Sequence, residues 1–218
     1  MLATGGDPTK PALLFADVAD NPGGGGRGNT TAILRSFLDA GVTGAGFAVH
    51  YDPPLAAEAH RLGPGGRFTA RFNRSEADER SQCPEADAQV MAISDGEIVG
   101  RRGSIGGRRY SLGASAWLKL AGRIDVVIIS IRHQCLDTEM LEHLGLKVCS
   151  LRGLVVKSRG HFRAGFNDIF ADEHILEVDG PGLATPILTR VAWKDVPRPI
   201  WPLDPDMSWQ VPNDVAVS

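Results

Sequence analysis

Four consecutive glycines stand in the stretch Asp17-Val18-Ala19-Asp20-Asn21-Pro22-Gly23-Gly24-Gly25-Gly26-Arg27-Gly28-Asn29-Thr30, which we call the glycine loop. An apolar run over residues 12–16 precedes it, and apolar residues at helical spacing follow it over 31–40. The loop therefore joins a predicted buried strand to a predicted helix, with Asn29 or Thr30 as the candidate helix cap.

Two interpretations of the glycine loop stay open. Glycine permits positive φ and a close approach of the backbone to another group, and the N–H groups at a helix start favour an anion. The loop is then a binding loop for an anionic group. The alternative is a tight structural turn between a strand and a helix, which needs no ligand.

Composition excludes several classes of protein. The chain has 218 residues and is 43% hydrophobic, which is enough for one substantial core. The net charge is -3 and the pI is about 6.1, and no basic stripe runs through the sequence, so no nucleic-acid partner is predicted. The densest basic cluster, residues 101–109, is broken by glycines and is interpreted as a solvated hairpin.

Cysteine usage and hydropathy indicate a soluble protein of a reducing compartment. Cys83, Cys135 and Cys149 are too few and too unevenly spaced for a disulfide framework. The N-terminus lacks the charged and apolar regions of a signal peptide, and no window approaches the roughly 20 apolar residues of a membrane span. The sequence predicts a cytoplasmic protein without a membrane partner.

The rest of the chain alternates between strand and helix patterns. Strands are predicted over 44–49, 67–72, 109–112, 115–120, 124–130, 154–158 and 174–178, and helices over 53–62 and 138–144. The Asp95-Gly96 pair between 90–93 and 97–99 predicts a β-hairpin. The predicted fold class is α/β, with a mixed sheet, flanking helices and a β-rich insertion over about residues 67–120.

Domain bounds follow from the same patterns. Residues 1–10 form a linker-like lead, 11–205 form the α/β domain, and 206–218 form a tail. The proline-rich region from Pro181 onward, with Trp193 and Trp201, is predicted to be irregular.

Polar clusters follow three of the predicted strands. They lie in the glycine loop, at 130–134 and at 157–163. Ligands of open α/β sheets sit beyond the carboxyl ends of the strands. We therefore expect these three clusters to converge at one edge of the sheet and to form the functional site.

The charged members of these clusters allow more than one role. Asp17 suits a metal, a ligand amine or a turn cap, whereas capping is favoured for Asp20. Arg132 and Arg163 present planar forks suited to a carboxylate or a developing oxyanion, and a salt bridge with Asp17 or Asp20 is the alternative. His161 is either a site residue or a histidine packed on a helix start.

Three further motifs carry little support. Gly23-x-x-x-x-Gly28-Asn29-Thr30 resembles a Walker A loop, but Asn29 replaces the lysine that reaches the phosphates, so a nucleotide triphosphatase is disfavoured. The six histidines show no metal-binding spacing, so no metal ligands are assigned. Lys157 and Ser158 are adjacent on a strand and point to opposite faces, which argues against direct activation of the serine.

The motifs together, in this order, resemble the C-terminal domain of the microcystinase C (MlrC) family, a family of zinc-dependent metallopeptidase-like hydrolases. The matching residues are Asp17-Val18-Ala19-Asp20-Asn21-Pro22-Gly23-Gly24-Gly25, Thr31 with Leu34, Tyr51-Asp52-Pro53, Ser130-Ile131-Arg132-His133-Gln134, Val155-Val156-Lys157-Ser158, His161-Phe162-Arg163-Ala164 with Phe166, and Pro202-Leu203-Asp204. The resemblance covers residues 11–204, and 74–85 depart from the family pattern.

The resemblance implies a division of the site between two domains. Family members are longer and hold zinc with aspartate and histidine ligands in an N-terminal domain, which this chain lacks and which would be its partner in cis or in trans. The chain alone is expected to bind no catalytic zinc. The implied reaction is hydrolysis of an amide bond in a small peptide.

The resemblance also suggests roles for residues of this chain. The catalytic candidates are Arg163, Arg132 and His161. The substrate-binding candidates are Asp17, Asp20, Asn21, Gly23, Gly24, Gly25, Lys157 and Ser158. The competing hypothesis is a module without catalysis, in which the same loop binds an anionic ligand or docks a partner chain.

Overall fold

The computed structural model describes residues 9–75, 78, 80 and 82–210. Within these residues, no helix is long and apolar enough to cross a membrane. The chain divides into two compact units, the first ending at Thr185 and the second beginning at Pro186.

The first unit is built on one mixed sheet of eight strands. The strands are β1 (Leu13–Asp17), β2 (Ala45–Tyr51), β3 (Arg67–Arg71), β4 (Glu85–Ser94), β7 (Ser115–Leu120), β8 (Ile124–Ile129), β9 (Gly153–Val156) and β10 (Ile175–Val178), in the order β10-β1-β9-β2-β8-β7-β4-β3. The first five strands of that order are parallel, and the last three are antiparallel to their neighbours. The predicted fold class is confirmed, including the β-rich insertion.

The helices cover both faces of the sheet. They are α1 (Ala32–Asp39), α2 (Pro53–Leu62), α3 (Glu139–Glu142) and α4 (Arg163–Phe166). Apolar residues of α1 and α2 pack on one face, and those of α3 and α4 pack on the other. All six residues of β8 are buried, as the β-branched run predicted for a central strand. The predicted helix over 138–144 is shorter, with only one turn at α3.

The predicted hairpin at Asp95-Gly96 is wrong in its pairing. Local hydrogen bonds hold this segment, since the Gly96 amide donates to Ser94 Oγ at 3.0 Å and the Glu97 amide donates to Asp95 Oδ1 at 3.2 Å. However, β5 (Glu97–Val99) leaves the main sheet and pairs with β6 (Arg109–Ser111) in a separate two-stranded sheet. The chain does not reverse at Asp95-Gly96, because the antiparallel pairing continues from Ser94 with Ser115 to Glu97 with Ser111. The two neighbours of β4 in the main sheet are β3 and β7.

The basic cluster lies in the β5–β6 hairpin, as predicted, and two of its arginines are paired. Arg101 contacts Glu139 and Glu142 of α3, and Arg102 contacts Asp168. The buried Asp137 carboxylate also accepts hydrogen bonds from the amides of Arg101 and Arg102, at 2.9 and 2.7 Å. The hairpin is therefore docked onto the α3 side of the sheet.

The described part of the second unit, residues 186–210, is irregular, as the proline content predicted. Its regular structure is one turn of 3-10 helix, Leu188–Arg190. The Trp193 indole donates to the Leu188 carbonyl at 2.7 Å, and Arg198 pairs with Asp204.

Candidate functional site

The three polar clusters meet at the carboxyl edge of the parallel strands. In the sheet order, β9 lies between β1 and β2, and β2 pairs with β8, so the ends of all four strands are neighbours. Lys157, after β9, contacts Asp17 at the end of β1. The segment after β8 joins them, because the Cys135 amide donates to the Lys157 carbonyl at 3.3 Å. The structure thus places the clusters at one edge.

A buried lysine with two carboxylates forms the centre of this edge. Lys157 Nζ lies 3.0 Å from Asp17 Oδ2 and 2.7 Å from Asp20 Oδ2, and it donates to the Thr30 carbonyl at 2.8 Å. The three charged side chains are at most 5% exposed. Lys157 therefore neutralises the aspartates, in place of the alternative in which Arg132 or Arg163 forms a salt bridge with them.

The three groups are held in unequal electrostatic states. Burial opposes the charge of Lys157, but the attraction of Asp17 and Asp20 outweighs burial and raises its pKa. Burial also acts on Asp20, yet Lys157 and hydrogen bonds from Thr30 and Gly28 lower its pKa. Burial raises the pKa of Asp17, only partly offset by Lys157. Asp20 is therefore the firmly ionised partner of the lysine.

The glycine loop is closed on itself by hydrogen bonds. The amides of Gly24 and Gly26 donate to the Asn21 carbonyl at 2.9 and 2.8 Å. The Asp20 carboxylate accepts from the amides of Gly28 and Thr30, at 2.8 and 2.7 Å. These amides serve the loop itself, which supports the structural-turn interpretation and removes the basis for anion binding by these groups. Because the same amides would have to bind the phosphates of a nucleotide, their use within the loop also disfavours a nucleotide triphosphatase.

The predicted capping of α1 is wrong. The N-cap is Thr31, and its side chain makes no capping hydrogen bond. Thr30 gives its amide and hydroxyl to Asp20, at 2.7 and 2.9 Å. Asn29 is buried, and its carbonyl accepts from Asn73 Nδ2 at 2.7 Å. Both candidate caps are therefore committed to contacts with other parts of the chain.

Asn73 holds the end of the glycine loop at Asn29, and nothing in the sequence except its residue type marks it for this role. It adopts φ 54°, in the left-handed region that asparagine tolerates. Its amide donates at 2.7 Å to Asp52 Oδ2, while Asp52 Oδ1 caps α2 through the Leu55 amide. The capping role of Asp52 is readable from the Asp52-Pro53-Pro54 sequence.

His50, which was not among the site residues predicted from the sequence, lies buried near Lys157. Its ring contacts Phe72 edge to face at 5.3 Å. Burial, and then the positive charge of Lys157, lower the pKa of His50 to about 3, so it is neutral in the folded protein. In the described part of the chain, His50 Nε2, Asp17 Oδ1 and Ser158 Oγ are buried without a hydrogen-bond partner. Lys157 is committed to the aspartates, consistent with no direct activation of Ser158.

The neutral state of His50 predicts acid sensitivity. The unfolded chain takes up a proton on this histidine near the usual pKa of 6.5 and the folded chain only near 3, so stability falls as pH drops through this window. At pH 5 the expected loss is about 2 kcal/mol relative to pH 7. His50→Gln should remove that increment in denaturant titrations at the two pH values. An equal loss in the variant and the parent chain would contradict a neutral buried His50.

The exposed rim above the buried lysine holds the remaining candidates. Asn21 is half-buried, and Gly23, Gly24 and Gly25 are exposed. His161 is exposed, and its Nδ1 lies 3.1 Å from Nε2 of the nearly buried Gln134. These groups can reach a ligand directly, whereas Asp17, Asp20, Lys157 and Ser158 lie beneath them.

The two arginine candidates are both at the surface. Arg163 begins α4, and its guanidinium contacts Asp172 at 2.9 Å and Glu177 at 3.8 Å. It also lies over the Phe162 ring, 5.6 Å from the centroid. Arg132 is exposed, after β8. Arg163 is thus oriented by two acidic side chains, while its own side chain remains 40% exposed.

Two further features bear on ligand binding. Among the described residues, no group of three or more His, Cys, Asp or Glu side chains is placed to hold a metal ion.

An open groove of about 710 Å³ lies away from these clusters, lined in part by Arg67, Asp87 and Lys119. Lys119 pairs with Asp125 at the start of β8, so this groove belongs to the opposite edge of the sheet. The groove is therefore separate from the carboxyl edge where the three polar clusters meet, which we call the polar edge.

Comparisons with known proteins show which family and which structures this chain resembles. The family model described as "MlrC C-terminus" matches residues 15–195. Microcystinase C from Sphingomonas sp. is 28% identical over 158 residues, which are 72% of this chain and 30% of that protein. A crystal structure named "Putative metallopeptidase", from Mesorhizobium sp. BNC1, superposes with a TM-score of 0.76 at 21% identity, over 92% of this chain and 39% of the other. The chain thus spans less than half the length of these relatives.

Proposed function

Because the chain belongs to the MlrC C-terminal family, we propose that it is the C-terminal domain of a metal-dependent hydrolase that cleaves amide bonds in small peptides. The observation that carries the proposal is the family match over residues 15–195, which includes every strand-end cluster of the polar edge. The names of the relatives, a microcystinase and a metallopeptidase, support hydrolysis as the reaction class.

The proposal divides the site between two domains. The described residues of this chain do not fit a zinc site, so the metal would be held by an N-terminal domain, which we call the metal domain. The match covers 30% of microcystinase C, so that relative is long enough to contain such a domain beside the matched region. When bound there, zinc would supply Lewis-acid activation of water.

This chain would supply the substrate-facing wall of the cleft. Arg163 is the first candidate to stabilise negative charge on the substrate oxygen, because its guanidinium is exposed and oriented by Asp172 and Glu177. Arg132 is the second candidate. Asn21 with Gly23, Gly24 and Gly25 would form the polypeptide surface against which the substrate lies.

The buried residues have a supporting role in this proposal. Asp17, Asp20 and Lys157 hold the ends of β1 and β9 and the loop in one arrangement, and Ser158, the next residue in the chain, is also buried. A site held by buried ion pairs keeps its geometry without rearranging when the substrate binds. These buried residues would therefore affect the substrate only indirectly, by holding the exposed rim residues in place.

The division of the site predicts the metal content of the isolated chain. After equilibrium dialysis against micromolar zinc and removal of free metal, elemental analysis should find well under one equivalent per chain. The expected reason is that the described residues of the chain hold no group of three or more converging ligands. One tightly held equivalent of zinc, lost on mutation of a residue of this chain, would overturn the two-domain site.

A further inference from the structure

We infer that Gln134 holds His161 in its Nε2–H tautomer, so that His161 offers a hydrogen-bond donor to a carbonyl or carboxylate oxygen of the ligand. The part about the ligand rests on the proposed function, whereas the tautomer rests on this chain alone. The inference assigns Gln134 and Gly23 as positioning residues for His161.

The contact between the two side chains fixes the direction of the hydrogen bond. Gln134 Nε2 lies 3.1 Å from His161 Nδ1. An amide nitrogen only donates, so Nδ1 must be the ring nitrogen with the free lone pair. In a neutral imidazole the proton then sits on Nε2, on the far side of the ring.

Gln134 is itself held from several sides. Its main-chain carbonyl accepts from His133 Nδ1 at 3.0 Å, and the main-chain amide of the next residue, Cys135, donates to the Lys157 carbonyl. The end of its side chain lies against Gly23. A Cβ at position 23 would stand 1.5 Å from Gln134 Oε1, so only glycine leaves room for the amide in this orientation.

This arrangement gives a glycine of the loop a specific role. Gly23 has no positive φ that would require glycine, and its amide donates to Asn21 Oδ1 at 3.0 Å. Glycine is needed at position 23 because a side chain there would overlap the amide of Gln134. The loop after β1 thereby controls a histidine that follows β9, through a glutamine that follows β8.

The tautomer determines what His161 can do. With Nδ1 accepting from Gln134 and Nε2 protonated, the neutral ring has no free lone pair with which to take a proton. His161 is exposed, so its N–H can meet a ligand oxygen. It is therefore suited to polarise or bind an oxygen, and unsuited to act as a general base.

The test is the tautomer of His161, measured by long-range ¹H–¹⁵N correlation on the full chain with ¹⁵N-labelled histidine at about pH 8. Other histidines serve as internal references. His60 must carry its proton on Nε2, since that atom faces the Ser115 carbonyl at 3.0 Å, while His143 Nδ1 donates to the Glu139 carbonyl at 3.0 Å. His161 should show the His60 pattern. The His143 pattern would overturn the inference.

Gln134→Glu is the decisive variant. The new side chain has nearly the same shape but only accepts, so it should draw the proton to Nδ1 and convert His161 to the His143 pattern or to the doubly protonated ring. The signals of His60 and His143 should not move, which shows that the fold is intact. An unchanged His161 tautomer would contradict positioning by residue 134.

Gly23→Ala tests the second positioning residue. The atom it displaces is the end of a flexible side chain, so the chain should fold while Gln134 moves away from its place. In Gly23→Ala with Gln134→Glu, the tautomer change should then be lost. Gly24→Ala is the matched control, because its Cβ would meet its nearest neighbour at 3.4 Å. A tautomer change that persists with Gly23→Ala would remove Gly23 from the inference.

Activity separates this inference from the proposed function. In an active two-domain enzyme, His161→Gln, which keeps an N–H donor, should retain more of kcat/KM than His161→Ala. Equal losses in the two variants would contradict a donor role for His161. If no peptide is hydrolysed at all, the proposed function fails, while the tautomer measurement still decides the role of Gln134.

Discussion

Replacing Lys157 with methionine is expected to lower the free energy of unfolding by about 3–5 kcal/mol, because it leaves buried carboxylates without a counter-charge. Asp17 and Asp20 are at most 3% exposed, so water cannot replace the ammonium group. The Thr30 carbonyl would also lose a hydrogen bond of 2.8 Å. Denaturant titration at pH 7, monitored by circular dichroism, measures the loss.

A surface ion pair provides the matched control for this substitution. Arg71 and Glu85 lie 3.2 Å apart, and both side chains are more than half exposed. Arg71→Met should therefore cost at most about 1 kcal/mol. A loss in Lys157→Met no larger than that in Arg71→Met would show that the buried cluster does not hold this edge together.

The second large effect is expected on catalysis. In an active two-domain enzyme, Arg163→Ala should lower kcat by about 10²–10³-fold, the usual cost of removing a donor that stabilises a developing oxyanion. Arg163→Lys should recover little, since a lysine lacks the planar fork that Asp172 and Glu177 orient. Steady-state kinetics on a linear peptide, with zinc saturating, give the comparison.

Arg132→Ala distinguishes the two arginines. Arg132 is exposed after β8, and its removal should change kcat by much less than the removal of Arg163. The reverse result, with Arg132→Ala inactive and Arg163→Ala close to the parent enzyme, would transfer the role to Arg132. Both variants should unfold like the parent chain, because exposed ion pairs add little stability.

The position of the site at the carboxyl ends of the parallel strands was predictable from the sequence, but the contacts within it were not. The apolar run before Asp17 and the β-branched run of β8 gave parallel strands, and such strands must end at one edge. The pairing of Lys157 with Asp17 was not predictable, because the two residues are 140 positions apart and local pattern carries no register. From the sequence, a salt bridge from an arginine was one alternative for these aspartates. The lysine reaches them because β9 lies directly beside β1.

The glycine loop shows where pattern alone misleads. Four glycines before a helix suggest free amides, yet Asn21 and Asp20 supply acceptors within the loop and use those amides. The role of Gly23 also depends on Gln134, more than 100 residues later in the chain. Spacing cannot show such a contact, since the backbone at Gly23 does not itself require glycine and the requirement comes from the packed amide of Gln134.

The most direct measurement is peptide hydrolysis by this chain, by a zinc-loaded metal domain from the same genomic neighbourhood, and by the two together. Product formation from linear peptides should appear only in the mixture and should disappear when a chelator removes the zinc. Hydrolysis by this chain alone, or an inactive mixture in which calorimetry shows the two domains bound, would contradict the account.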